Sequence, residues 1–429
     1  MTALLFVPFA ILVILGFPIW TVLAGSSFIA LYFGSGTPLT LVVQRMFTAS
    51  DSFPLLAVPL FMVAGNLMET GGISRRLINF CNSLLGSFTG GLGMVGVLAC
   101  MFFAAISGSG PATVAAIGGI MIPAMVEAGY DSAFSAALLA VAGAIGVIIP
   151  PSIPMVNYGV VGSVSISSLF AAGFGPGILM GLALMAVCYV AAKRNGYGKL
   201  SAVQFRWSGV WHSFRDAFWA LLMPVLILGG IYGGIFTPTE AAAVSVIYGF
   251  VVGLFVYKEL KFSDLPPLLM AAGKTTAIVM MIIASASGFG WILTAERIPD
   301  VIAAAMMSLS SNKFVILTLI NLLLLLVGCI METTASIIIL TPIFLPIVTQ
   351  LGVNPIHFGI IMVMNLAIGM ATPPLGVNLF VACSISGRTM EQISRKLVWV
   401  LLLSILVLFL TSYFEPIALL IPRLMGLIR

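Results

Sequence analysis

Four short interruptions of long apolar runs hold most of the polar chemistry in this chain: "SGSGPAT" (107–113), "IIPPSIPMVN" (148–157), "METTAS" (331–336) and "ATPPLGVN" (371–378). In the first, Ser109 or Gly110 is placed to cap a following helix, with Pro111 in its first turn and Thr113 close behind. Such a helix start presents free N–H groups and a partial positive charge, which suits a carboxylate. The pairs Pro150-Pro151 and Pro373-Pro374 do the reverse: each removes backbone donors and leaves upstream carbonyls without partners. Ser152, Asn157, Thr372 and Asn378 add neutral oxygens beside those carbonyls, and Gly376 follows the second break directly. Hard cations take oxygen ligands of that kind, so Na⁺ sites are expected near Ser109, Ser152, Thr372 and Asn378. The blander alternative is a pair of kinks whose carbonyls are satisfied by Ser and Thr hydroxyls or by neighbouring helices.

Glu332 is the one carboxylate within a break. An ionised Glu at membrane depth costs roughly 3 kcal/mol or more. At that depth it must be neutralised, bonded to a hairpin N-terminus or hydrated in a cavity; a coupling or gating role, a structural cap and a position at the interface instead of membrane depth all remain open. Glu240 in "FTPTEAA" has a structural reading, because Thr237, Pro238 and Glu240 have the spacing of a capping box. Glu69 and Lys274 fall near expected helix ends. The stripe Trp207, Trp211, Phe214, Phe218, spaced 4, 3 and 4 beside basic residues, reads as an interfacial anchor or as a docking face for a partner. An enzyme is disfavoured. The histidines are His212 and His357 alone, and "ISGSG" lacks the G-x-S-G of an intramembrane serine protease because position 107 is Ser. A hydrolytic dyad would require His357 to reach Ser109.

These interruptions belong to a chain of 429 residues that is 61% hydrophobic and 7% charged, against about 25% charged for a soluble domain. It is an all-α polytopic membrane protein. The net charge of +5 is scattered and forms no nucleic-acid patch. Cys81, Cys100, Cys188, Cys329 and Cys383 include no CxxC pair, so neither a metal nor a disulfide framework is expected, and no cofactor beyond a coupling ion. No charge precedes Arg45, which predicts no cleavable signal peptide.

Apolar runs place segments at 3–17, 19–34 and 53–69, then half-length runs at 91–106 and 111–127. Runs at 133–149 and 152–168 follow around the first Pro-Pro break, with a span at 170–192. The second half reads 217–235, 239–257 and 267–294, half-length runs at 314–330 and 335–350, runs at 356–371 and 375–386, and a last span at 397–414. Sliding the halves by 223 residues, the distance from Pro150 to Pro373, aligns Pro151 with Pro374, Gly146 with Gly369, Gly129 with Gly352, Pro123 with Pro346 and Asp131 with Asn354. One ungapped offset over about forty residues indicates an internal duplication: a first repeat at 1–215 and a second at 216–429. Each repeat comprises scaffold helices (1–69; 217–294) and a hairpin with a broken helix (91–168; 314–386). The polar loop at 193–215, with Lys193, Arg194, Lys199, Arg206 and Arg215, is assigned to the cytoplasm. Counting crossings from there also puts Arg75, Arg76, Arg388, Arg395 and Lys396 on the cytoplasmic side, and gives the copies opposite orientations. Inverted-topology repeats with paired interruptions point to a secondary transporter.

"ISGSGPATVAAIG", "GVIIPPS", "GIFTPTEAAA" and "MATPPLGVNLF", in this order, resemble the large membrane subunit of TRAP (tripartite ATP-independent periplasmic) transporters over essentially the whole chain. The resemblance implies a Na⁺-driven importer of organic acids such as C4-dicarboxylates or sialic acid, in a bacterial inner membrane. It implies two re-entrant helical hairpins in an elevator-type transporter, a small four-helix membrane subunit and a periplasmic substrate-binding protein. No small-subunit segment precedes Met1, so that subunit is expected as a separate chain. The family's substrate and Na⁺ region maps here onto Ser107, Gly108, Ser109 and Gly110, onto Pro151 and Ser152, onto the 331–334 tip with Glu332, Thr333 and Thr334, and onto Thr372, Pro373, Gly376 and Asn378. The competing reading is a stand-alone sodium/dicarboxylate symporter of the divalent-anion type; a membrane scaffold with vestigial breaks is a third.

Overall fold

The structure, a computed structural model, describes residues 2–34, 38–198, 205–310 and 312–428. Lys199, one of the loop cations, lies outside them. All regular structure among the described residues is helical, as a chain in hydrocarbon requires, since a helix satisfies its own N–H and C=O groups. Nine of the described helices are long and apolar enough to cross a bilayer, so the chain is a multi-pass membrane protein.

The first half runs through Thr2–Ile14, Ile19–Gly34, Thr40–Ser50 and Ala57–Thr70 to the amphipathic Ile73–Leu85. Two antiparallel arms follow, Gly91–Ser107 and Gly110–Glu127, and then Ser132–Ala144 with a 3₁₀ turn at Ile145–Val147 that ends at the first Pro-Pro break. Ile153–Val161 resumes the helix, and Ile166–Asn195 closes the half. The second half repeats the order. Trp207–Tyr232, Pro238–Val251, Leu265–Ala295 and Ile298–Leu309 lead to arms Lys313–Ile330 and Thr333–Gln350. The broken helix Pro355–Gly369 and Val377–Ser386 comes next, then Met390–Tyr413 and Pro416–Leu424. Both Pro-Pro bonds are cis.

Matched turn chemistry sets up each broken helix. Asp131 Oδ1 accepts from Phe134 N at 2.8 Å and Asn354 Oδ1 from Ile356 N at 2.8 Å, each capping the helix. Two residues before them, Gly129 (φ +84°) and Gly352 (φ +73°) take the left-handed conformation that ends the preceding arm. The Thr237–Glu240 capping box forms as expected, Glu240 Oε2 accepting from Thr237 N at 2.8 Å.

The halves interlock. Ala57–Thr70 packs on Pro238–Val251, Ile73–Leu85 on Trp207–Tyr232, and Leu265–Ala295 on Ile19–Gly34 and Thr40–Ser50. Nearer the breaks the exchange is reciprocal: Ile153–Val161 packs on Thr333–Gln350 and Pro355–Gly369, while Val377–Ser386 packs on Ser132–Ala144 and Gly110–Thr113. The broken helices form the centre, every residue from Phe134 to Ala144 and from Ile356 to Gly369 being buried.

Several boundaries differ from the sequence reading. The polar loop is shorter than 193–215, because helix continues to Asn195 and restarts at Trp207, placing Arg194 and Arg215 on helices. The aromatic stripe is thus the first turns of a membrane helix and not a separate surface helix. Its Trp211 stacks on Phe214, which packs on Phe80, while Trp207 stays 76% exposed. The expected run 152–168 divides at 162–165, and four helices without spanning length (40–50, 73–85, 298–309, 416–424) were not anticipated. Arg76 pairs with Glu259 at 2.6 Å and approaches Asp216 at 3.7 Å, placing the 75–76 and 216 regions at one end of the molecule.

In the second half one close approach is backbone to backbone. A Cβ on Gly369 would stand 2.4 Å from the carbonyl carbon of Gly328, whereas a Cβ on Gly273, mid-helix, would meet nothing within 4 Å. Gly369→Ala should therefore lower the melting temperature by the equivalent of about 1–3 kcal/mol of overpacking. Gly273→Ala should leave it unchanged or raised by up to about 1 kcal/mol; thermal unfolding in detergent compares the two.

Candidate functional site

The first arm pair turns at Gly108 (φ +61°), where a Cβ would lie 2.8 Å from the Pro151 carbonyl oxygen. The Gly108 carbonyl accepts from Ile153 N at 3.4 Å, so the 107–110 tip rests directly on the first break. Gly146, in the helix entering that break, also lies under the tip, with the Ser109 carbonyl oxygen 2.7 Å from where its Cβ would be. The second half makes the same kind of contact. The Cys329 carbonyl, just before the 331–334 tip, accepts from Leu375 N at 3.3 Å beyond the second break.

Hydroxyls settle part of the carbonyl problem. Ser152 Oγ donates to the Val147 carbonyl at 2.6 Å and accepts from Met155 N at 3.3 Å. Thr372 Oγ1 donates to the Ile368 carbonyl at 2.8 Å, and Thr113 Oγ1 to the Ser109 carbonyl at 2.7 Å, with Ser107 Oγ 3.1 Å away. Ser109 takes the N-cap position before Gly110, but its hydroxyl makes no capping bond. The expected Ser109 side-chain cap is therefore absent, and the Ser107 and Thr113 hydroxyls engage the Ser109 backbone instead.

Other polar atoms stay without a partner in the chain. Asn157 is fully buried, and neither its Oδ1 nor its Nδ2 is hydrogen-bonded. Asn378, also fully buried, reaches across to the first half: its Nδ2 donates to the Ala140 carbonyl at 3.0 Å, while its Oδ1 has no donor. That oxygen would stand 3.1 Å from a Cβ on Gly110, so a side chain there would press on Asn378. Thr333, 1% exposed, has an unbonded Oγ1. Buried polar groups are nearly always satisfied, and each exception calls for a ligand, an ion or a water.

The predicted residues therefore gather in two groups. Ser107, Gly108, Ser109, Gly110, Pro151, Ser152 and Asn378 converge on the first break. Pro373, Gly376 and Thr372 stay with the second, against Cys329 near the end of the arm Lys313–Ile330. Glu332 is exposed and acts as the N-cap of its own helix, its Oε2 accepting from Ala335 N at 3.0 Å. No hydrogen bond joins Glu332, Thr333 or Thr334 to the first tip among the described residues. His357 bonds the Thr411 carbonyl at 2.8 Å rather than Ser109, so no dyad forms.

A polar seam was missed in the sequence. Asn365 Nδ2 donates to Asn321 Oδ1 at 2.7 Å and Asn321 Nδ2 to Ser412 Oγ at 3.0 Å, tying an arm, a broken helix and the last long helix together. Asn321 and Asn365, each an amide inside an otherwise apolar run, were the available signal.

Comparison with known proteins places these features. The family described as "Tripartite ATP-independent periplasmic transporter, DctM component" matches residues 6–417. The chain is 48% identical to the isethionate TRAP transporter permease protein DctMQ of Oleidesulfovibrio alaskensis, covering 96% of this chain but 65% of that longer protein. It is 45% identical to the C4-dicarboxylate TRAP transporter large permease protein DctM of Pseudomonas aeruginosa, over 89% of each. With the sialic acid TRAP transporter large permease protein SiaM of Vibrio cholerae it shares 39% identity, over 92% and 93%. In fold it is similar to the YdaH transporter of Alcanivorax borkumensis, with a TM-score of 0.61 at 15% identity over 89% of each chain. The chain belongs to the DctM family, the large membrane component of tripartite ATP-independent periplasmic transporters.

Proposed function

We propose that this chain is the membrane permease of a Na⁺-coupled importer of an organic acid in a bacterial inner membrane. Its partners are a small membrane subunit and a periplasmic substrate-binding protein. The relatives' names mention isethionate, C4-dicarboxylates and sialic acid, all of which carry an acidic group, and an anionic cargo suits the helix start at the first tip, which has no side-chain cap.

The observation that supports this reading best is the buried, unpartnered Oδ1 of Asn378 beside the first tip, together with the unpartnered Oδ1 of Asn157 farther along the helix that leaves the first break. Left bare, each costs about 1–3 kcal/mol; neutral oxygens are what a desolvated Na⁺ takes as ligands. The two arm pairs act as re-entrant hairpins and the two halves as inverted repeats. The hairpins and broken helices form the moving body of an elevator, and the interlocked helices 57–70, 238–251 and 265–295 belong to its scaffold. Membership of the tripartite family supports this over a stand-alone symporter.

Replacing K⁺ by Na⁺ should raise the melting temperature of the purified chain, by the equivalent of about 1.4 kcal/mol at ten times Kd. Asn378→Ala should abolish that rise. Ser152→Ala should lower stability by about 1–2 kcal/mol through the lost cap and weaken the Na⁺ response as well. An unchanged Na⁺ response in both variants would refute the ion-site placement.

Asn157→Leu removes two unpartnered polar atoms at similar volume, so the melting temperature without ligand should rise. The same variant should lose stabilisation by Na⁺ or substrate. A fall in ligand-free stability would instead show that Asn157 is bonded in the resting protein.

A further inference from the structure

Between the last turns of Ile166–Asn195 and the first turns of Met390–Tyr413 lies a crevice of about 840 Å³. Its walls are apolar, with Val187, Val190, Leu402 and Leu406 facing it, while Arg194, Arg395 and Lys396 line its other end beside Trp399. The spacing explains the division: 187, 190 and 194 fall on one face of the first helix, and 395, 399, 402 and 406 on one face of the second. Charge therefore collects where the helices leave the membrane, and apolar surface runs inward from it. From residue 395 to residue 406 the wall is about 16 Å long, close to half of a hydrocarbon core about 30 Å thick. That is the depth of one leaflet.

The groove is open to the bilayer, with Val190 62%, Leu402 51% and Trp399 73% exposed in the chain alone. Arg395 pairs with Glu391 at 2.6 Å, a surface pair with both side chains about three-quarters exposed and so weak enough to yield to a phosphate. None of the described residues forms an ion pair with Arg194 or Lys396.

We propose that this crevice is a binding site for one anionic phospholipid, its phosphate held by Arg194, Arg395 and Lys396 and its acyl chains laid along Val187, Val190, Leu402 and Leu406. Basic pockets between membrane helices have this property in general, because the headgroup neutralises the cations while the chains fill the apolar wall. The indole of Trp399 marks the headgroup level. The site lies on elements distinct from the two hairpin tips and does not rest on the proposed cargo. Met390–Tyr413 follows directly on the second broken helix, so lipid bound here would fix one of its neighbours.

The test places the full chain in nanodiscs with lipid brominated on one acyl chain and reads quenching of Trp399, isolated by subtracting the Trp399→Phe variant. Brominated phosphatidylglycerol should reach half-quenching at a mole fraction at least about tenfold lower than brominated phosphatidylcholine, since each basic residue contributes about fivefold. Arg194→Gln, Arg395→Gln and Lys396→Gln combined should bring the two lipids within about twofold of each other. Equal quenching by the two lipids in the parent would overturn the site, as would a preference that survives the triple substitution. Shielding of Trp399 from both lipids once the small subunit is added would assign the crevice to that protein and overturn it equally.

Discussion

In hydrocarbon no water completes an unfinished helix, so every backbone group that a break sets free must find a partner within the protein or in its cargo. Both halves of this chain meet that constraint in the same way. A carbonyl at or just before the tip, that of Gly108 in one half and of Cys329 in the other, takes an N–H from just beyond the Pro-Pro pair. Hydroxyls of Ser152 and Thr372 close the carbonyls left behind it. The tips cannot be displaced without exposing these groups, which is why tip, break and the facing arm behave as one packed unit.

The same accounting separates structural from functional polarity. Ser152 and Thr372 serve both, since their hydroxyl protons complete the backbone while each oxygen retains a lone pair for an ion. Asn157, Asn378 and Thr333 keep polar atoms in reserve. Asn378 is the most informative, because it belongs to the second half yet bonds the Ala140 carbonyl of the first and leaves its oxygen beside Gly110. A single side chain thereby links both halves of the chain at the point where cargo is expected.

Much of this was legible in the sequence because it depends on local chemistry. The offset of 223 residues found the matched turns, and Asp131 and Asn354 do cap their helices; Thr237 and Glu240 do form their box. The motifs also named the family correctly. What escaped was long-range. Periodicity along one helix cannot say which helix lies opposite, so the reciprocal packing of Ile153–Val161 and Val377–Ser386 and the Asn321–Asn365–Ser412 seam were invisible. Glu332 was legible as a helix-start carboxylate, and its backbone cap is in place, but its exposed position follows from packing that no local pattern encodes. The polar loop was drawn too long for the opposite reason: charged residues such as Arg194 and Arg215 are good helix formers and continue the membrane helices past their apolar parts.

The most direct test is uptake into proteoliposomes under an inward Na⁺ gradient, with labelled organic acids supplied together with the small subunit and binding protein from the same source. Uptake that needs Na⁺ and all three proteins is the predicted result. Uptake by this chain alone, or uptake indifferent to Na⁺, would contradict it.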